Sequence, residues 1–125
     1  MTDLRREEVA EQFLDHGKFP FHRGMLANAT HTRFERNVTC GDQVWLQLLV
    51  DGVALRSAWF DGHGCIVSQA FASMLCKQID GRPLKDVLEL TEQDVLNLAE
   101  FYLNPVRQRC ALISFKALRS IVSSM

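Results

Sequence analysis

The strongest constraint on the fold is a pair of β-prone runs on either side of Asp51-Gly52. The runs read QVWLQLLV and VALRSAWF, and their β-branched and aromatic side chains suit a pleated, half-buried surface. An Asp-Gly pair between two such runs is the strongest short-range signal for a tight β-hairpin turn. The stretch therefore predicts an antiparallel hairpin, and Trp45, Trp59 and Phe60 favour a sheet that is covered on at least one face.

The segments around the hairpin predict one more strand and several helices. ATHTRFERN, which precedes it, alternates loosely and predicts a first strand. Apolar residues recur at helical spacing in four places, and Gly, Pro and capping residues bound them. The helices are predicted over Asp3–His16, Ile66–Ile79, Thr91–Tyr102 and Ala111–Val122. A helix, a small antiparallel sheet and then further helices together indicate an α+β fold.

Length and charge narrow the function classes. A chain of 125 residues is most simply one domain, so we expect residues 1–125 to form a single unit. The net charge is −1 with both signs mixed, which gives no basic footprint for nucleic acid. No apolar run approaches the ~20 residues of a membrane span. The N-terminal residues lack the apolar region of a signal peptide. We therefore expect a cytoplasmic protein that binds neither nucleic acid nor membrane.

Four cysteines indicate a thiol or metal function, because thiols in a reducing compartment are more often ligands or reactive groups than disulfides. Cys40 lies in a turn before the hairpin, and Cys65 lies at the N-terminal edge of a predicted helix. Cys110 follows Arg109, at or within the first turns of the last helix. A helix N-terminus and a neighbouring arginine both favour the thiolate. Buried, inert thiols are the alternative interpretation for each position.

The spacing separates Cys76 from the other three. It lies inside a predicted helix, about 16 Å along the axis from Cys65 at ~1.5 Å per residue, too far to share one ion with it. We therefore interpret Cys76 as structural. Gly64 lets the backbone pass close to whatever Cys65 holds, and Asp42 returns a carboxylate to the Cys40 turn. Three thiolates and one carboxylate form a credible four-ligand site for zinc or iron, with the sulfurs about 4–5 Å apart.

These motifs resemble the iron–sulfur cluster assembly scaffolds, the IscU, SufU and NifU N-terminal-domain proteins. The resemblance covers most of the chain and rests on TCGDQVWLQLLVDG, FDGHGCIVSQAFASML, GRPL and NPVRQRCALISFKAL. It implies a SufE/NifU-like fold, a small three-stranded antiparallel sheet packed by helices. It also implies that Cys40, Cys65 and Cys110 hold an iron–sulfur cluster. By the same resemblance, Asp42 ligates zinc in the resting protein and helps release the cluster.

Two departures from the family pattern bear on which branch of the family the chain resembles. Arg109 stands where the scaffold branch has histidine, as in SufU, but no insertion of the SufU kind separates Cys65 from Cys110. The Leu-Pro-Pro-Val-Lys segment, which an Hsp70-type chaperone recognises in the scaffold branch, corresponds here to residues 103–107. Asn and Arg replace a Pro and the Lys in that segment. Arginine and lysine are not equivalent in a tight pocket.

The resemblance implies a leading function and two alternatives. As a scaffold, the protein receives persulfide sulfur from a cysteine desulfurase on Cys110 or Cys65, with Arg109 stabilising the thiolate or persulfide. It combines this sulfur with iron into a transient [2Fe–2S] cluster and passes the cluster to acceptor apo-proteins, which is not an enzyme activity in the usual sense. The first alternative is a zinc-dependent sulfurtransferase of the SufU type. The second is a zinc-stabilised interaction domain that has lost sulfur chemistry.

Overall fold

The computed structural model describes residues 15–18, 20–99 and 102–125. Three strands form one antiparallel sheet in the order β1-β2-β3: β1 (His31–Asn37), β2 (Asp42–Asp51) and β3 (Ala54–His63). The predicted hairpin is confirmed, although its turn is shifted by one residue. Asp51 pairs with Ala54, so Gly52 and Val53 form the loop, and Gly52 has a φ of +61°.

Five α-helices lie among the described residues after the sheet. They are α1 (Ile66–Ile79), α2 (Leu84–Leu88), α3 (Glu92–Leu96), α4 (Pro105–Ala111) and α5 (Ile113–Ser123). The bounds predicted for α1 are confirmed at both ends. The amphipathic helix predicted over Asp3–His16 lies almost wholly outside the described residues, and residues 15–18 are helical.

One predicted helix is wrong in extent, and the last one differs by two residues at its start. The helix predicted from Thr91 to Tyr102 is α3 alone, followed by a 3-10 turn over Asn97–Ala99. Its start was correctly predicted, because the Thr91 side chain and Asp94 form a reciprocal capping box. The last helix, predicted over Ala111–Val122, is α5, which begins two residues later because Leu112, with a φ of −95° and a ψ of 2°, separates it from α4. An apolar, helix-favouring leucine gives no sequence signal for such a break.

The core lies between the inner face of the sheet and helices α1 and α5. It consists of aliphatic and aromatic side chains, among them Leu46, Phe60, Phe71 and Phe115. Cys76 is fully buried in this core, and burial raises the pKa of its thiol, so its structural interpretation is confirmed. Within the described part of the chain, no helix has the length and hydrophobicity needed to cross a bilayer.

Polar contacts tie the segment before the sheet to α1 and β3. The Ser73 hydroxyl accepts a hydrogen bond from the Phe21 N–H at 2.7 Å and lies 2.6 Å from His16 Nδ1. Burial, with a smaller effect of Lys77, lowers the pKa of His16 and so favours the neutral imidazole, whose Nδ1 can accept a hydrogen bond from the Ser73 hydroxyl. The His22 ring stacks on Trp59, with ring centroids 4.4 Å apart. This segment is thereby anchored on α1 and β3.

Candidate metal centre

Three of the predicted ligand residues meet at the end of the sheet where β1 stops and β2 begins. Cys40 lies in the loop between these strands, Asp42 is the first residue of β2, and Cys110 comes from α4. One ligand atom from each lies within 4.8 Å of the other two. The Cys110 and Cys40 sulfurs are 3.6 Å apart. A set this compact has the dimensions of a single-ion site.

Cys65 joins the site through Asp42. Its Sγ lies 3.5 Å from Asp42 Oδ2, and its backbone N–H donates to Asp42 Oδ1 at 2.7 Å. Its sulfur falls outside the group formed by Cys40, Asp42 and Cys110, whereas we had expected the three sulfurs to be equally close. The Asp42 side chain is therefore the centre of the arrangement, since it contacts Cys65 with both oxygens and is only 1% exposed.

Gly64 makes the approach of Cys65 to Asp42 possible. Its φ is +144°, a value that residues with a Cβ rarely adopt. A Cβ at this position would collide with Oδ1 of Asp42 and lie 2.8 Å from its Cα. The close backbone passage predicted from the GHGC motif is confirmed, and the group approached is the buried carboxylate.

Asn37 is a residue of the site that sequence reasoning missed. Its Oδ1 accepts the Thr39 N–H at 3.1 Å, and its carbonyl accepts the Gly41 N–H at 2.7 Å, so it shapes the loop that carries Cys40. Its Nδ2 also lies 3.9 Å from the Cys110 sulfur. Asparagine commonly bonds the backbone two residues later in turns, and this was the signal available in NVTCG.

The thiols at Cys65 and Cys110 differ in their electrostatic settings. Cys65 is the N-cap of α1, as predicted, where the helix dipole favours an anion. The predicted position of Cys110 near a helix start is wrong, because Cys110 is the penultimate residue of α4 and lies at the negative end of that dipole. Burial, followed by hydrogen bonds with Asp42 and Cys40, raises the pKa of the Cys110 thiol. A bound cation reverses this preference, since metal binding deprotonates a coordinating thiol.

Arg109 is exposed and lines a cleft beside the site together with Arg36 and Lys116. Its charge is not among the groups that shift the pKa of Cys110. The thiolate-stabilising role of Arg109 therefore stays a prediction, while its position in the cleft is a structural fact.

The donor set fits a soft or borderline metal. Three thiols supply the ligands that zinc and iron–sulfur clusters prefer, and Asp42 adds one harder oxygen ligand. Cys40 is exposed, Cys65 is half-buried and Cys110 is buried, so the site has one open side. An exchangeable ion or cluster requires such an opening, whereas a purely structural zinc site is closed on all sides.

The chain is similar to known proteins over nearly its whole length. The model of the NifU-like N terminal domain family matches residues 8–124. The iron–sulfur cluster assembly scaffold protein IscU of Thermotoga maritima is 26% identical, and the match covers 93% of each chain. The zinc-dependent sulfurtransferase SufU of Bacillus subtilis is 30% identical, over 88% of this chain and 86% of its own.

Solved structures show the same architecture. The SUF-system iron–sulfur cluster assembly scaffold protein of Fervidobacterium islandicum superimposes with a TM-score of 0.76 and 28% identity, covering 90% of this chain and 94% of its own. A NifU-like N-terminal protein from Brucella abortus gives a TM-score of 0.72 at 14% identity, over 94% and 95% of the two chains, and supports the fold alone.

Proposed function

The chain belongs to the NifU-like N-terminal domain family, and from this we propose that residues 1–125 form an iron–sulfur cluster assembly scaffold. The protein receives persulfide sulfur from a cysteine desulfurase and iron as substrates, and an external thiol reductant supplies the electrons that convert this sulfur to sulfide. The protein assembles a [2Fe–2S] cluster from them and transfers it to acceptor apo-proteins. The observation that carries the proposal is the convergence of Cys40, Asp42 and Cys110, with Cys65 bonded to the same carboxylate. The open side at Cys40 supports a role in which the product leaves.

Cys65 is the better first sulfur acceptor of the two proposed candidates. It is half-buried and lies at the positive end of α1, whereas Cys110 is buried at the negative end of α4. In the transfer, the Cys65 thiolate attacks the outer sulfur of the donor's persulfide. The donor S–S bond breaks, and the donor cysteine leaves as a thiolate. Cys110 then serves mainly as a cluster ligand.

A zinc-dependent sulfurtransferase is the second candidate, favoured by the 30% identity to SufU and by Arg109 at the position before the third ligand cysteine. Cys40, Asp42, Cys65 and Cys110 would hold the zinc ion. Bound zinc keeps its thiolate ligands deprotonated at neutral pH and thereby preserves them as nucleophiles. Both candidates use the same residues, so only the fate of the sulfur distinguishes them.

Reconstitution separates the two functions. We expect anaerobic incubation with a cysteine desulfurase, cysteine, ferrous iron and a thiol reductant to yield about one [2Fe–2S] cluster per one or two protomers, transferable to an apo-ferredoxin. The measurements are visible absorbance, sulfide content and transfer. If the zinc-loaded protein instead accelerates the desulfurase while the iron-loaded protein accumulates no cluster, the sulfurtransferase function is correct. Zinc competes effectively with iron in such a test, because it stands above Fe²⁺ in the general affinity order.

Asp42→Ala should make the assembled cluster persist several-fold longer in air, because the harder carboxylate is the most labile ligand. Decay of the visible absorbance measures this. Asp42→Asn is the matched control, since it retains an oxygen that can accept the Cys65 N–H while removing the negative charge. Slower decay in both variants supports release through the carboxylate. Decay as fast as wild type in both variants would exclude that role.

Residues 103–107 have a structural role that bears on chaperone binding. Leu103 is largely buried, Asn104 caps α4 by accepting the Arg107 N–H at 2.9 Å, and Pro105 begins the helix. An Hsp70-type chaperone that takes this segment as an extended peptide must first unwind the start of α4. The chaperone therefore stays a predicted partner.

The four free cysteines suit a reducing compartment, and we propose a cytoplasmic location on that basis.

A further inference from the structure

A cleft of about 500 Å³ lies between β1 and the α4–α5 corner, next to the metal centre. Three cationic residues from different elements line it: Arg36 of β1, Arg109 of α4 and Lys116 of α5. Leu112 and Ile113 add an apolar surface to the wall. The volume falls within the ~300–1,000 Å³ range of small-molecule sites.

The cations of this cleft are available to a ligand. Within residues 15–18, 20–99 and 102–125, Arg36, Arg109 and Lys116 make no ion pair. Of the two carboxylates in the lining, that of Glu35 already forms an ion pair with Arg33, with Oε1 of Glu35 3.4 Å from Nε of Arg33. Glu92, at the start of α3, is the other and has no cationic partner among the described residues. The cleft thus offers three positive groups and one unengaged negative group.

One wall of the cleft is the loop that shapes the metal centre. Asn37 and Thr39 line the cleft, and Cys40 follows them directly. The Asn37 amide also contacts the Cys110 sulfur. A ligand held by the cations would therefore lie beside the loop that carries Cys40.

We propose that this cleft binds an amino-acid-derived small molecule with two carboxylates and one ammonium group, of which glutathione and its sulfur-free analogue ophthalmate are examples. Guanidinium groups match carboxylates in geometry and charge, so Arg36 and Arg109 hold the carboxylates with Lys116 nearby. Glu92 receives the ammonium group. The inference goes beyond the scaffold function and does not depend on it, because ligand binding is measurable whether or not a cluster forms.

The test is calorimetric titration of the full chain with reduced glutathione and with ophthalmate, its sulfur-free analogue. We expect both to bind similarly, with a dissociation constant of about 1 mM or tighter, and more weakly as salt is raised. Citrate, which has carboxylates but no ammonium group, should bind more weakly. No binding to wild type, or binding of glutathione without ophthalmate, overturns the proposal, since the second result means that the thiol alone is recognised. Citrate binding as tightly as glutathione overturns the amino-acid recognition.

Arg109→Gln should weaken ophthalmate binding about tenfold, as expected for one lost charge-assisted contact. Arg107→Gln is the matched control: it removes the same charge from the same helix, and Arg107 does not line the cleft. Glu92→Gln should reduce the preference for ophthalmate over citrate. Equal weakening by Arg107→Gln and Arg109→Gln would mean that only the net charge attracts the ligand, and the cleft would not be the site.

Discussion

Cys110→Ser should abolish tight zinc binding, whereas Cys76→Ser should leave it intact and destabilise the fold. The Cys110 sulfur lies 3.6 Å from that of Cys40 and within the group of ligand atoms, so serine replaces a thiolate ligand by a neutral hydroxyl. We expect zinc affinity to fall by more than about 100-fold, beyond the range found for outer-shell changes. Cys76 is fully buried among apolar side chains, where a hydroxyl without a partner costs about 1–3 kcal/mol of unfolding free energy.

The two substitutions should therefore have opposite outcomes in two measurements. Competition with a chelator gives the zinc affinity, and denaturant unfolding in the presence of chelator gives the stability of the metal-free protein. Cys110 is itself buried, so some loss of stability in Cys110→Ser is compatible with the assignment. Loss of zinc affinity in Cys76→Ser while the protein stays folded would show that the ligand set is wrong.

The sequence predicted best those elements whose signals are local. Helix α1 was bounded correctly because Gly81 and Pro83 follow its amphipathic run and the GHGC loop precedes it. The hairpin was found through Asp51-Gly52, but its loop is Gly52-Val53, and the register shifts between Leu49 and Val50. Local chemistry does not encode such a shift, which depends on how β2 and β3 pair side by side.

The break at Leu112 shows where local signals fail. Cys110, Ala111 and Ile113 are all buried, so nothing in the apolar pattern marks Leu112 as a helix boundary, and the last helix was predicted from Ala111. The actual boundary has a chemical consequence. The break leaves Cys110 at the end of α4, with the dipole opposite to the one expected.

The site was predictable in its residues and not in its internal contacts. Cys40 and Asp42 are neighbours in one turn, and their convergence follows from the chain itself. The bonds from Asp42 to Cys65 and from Asn37 to Cys110 join residues far apart in the sequence. The fold also brings Arg36, Arg109 and Lys116 together around one cleft, and no spacing in the sequence predicts that these residues are neighbours.

Gly64→Ala should weaken both the fold and the metal centre, because its methyl group would occupy the position of the Asp42 carboxylate. The Asp42 side chain cannot easily move, because it is buried, it belongs to the first residue of β2, and both of its oxygens contact Cys65. Either the loop or the carboxylate must move, which separates Cys65 from the other ligands. We expect a loss of about 1–3 kcal/mol in unfolding free energy from the strained backbone and the collision. Zinc affinity should fall at least about tenfold, the lower limit for a disturbed ligand environment.

Gly81→Ala supplies the matched control for this prediction. Gly81 also has a positive φ, +76°, but a Cβ there meets no atom within 4 Å. Its replacement should cost only the conformational penalty of about 1–2 kcal/mol and leave zinc affinity unchanged. The excess effect of Gly64→Ala over Gly81→Ala, measured by denaturant unfolding and chelator competition, therefore isolates the contact with Asp42. If zinc affinity is the same in the two variants, the passage of the chain against Asp42 is not what holds Cys65 at the metal centre.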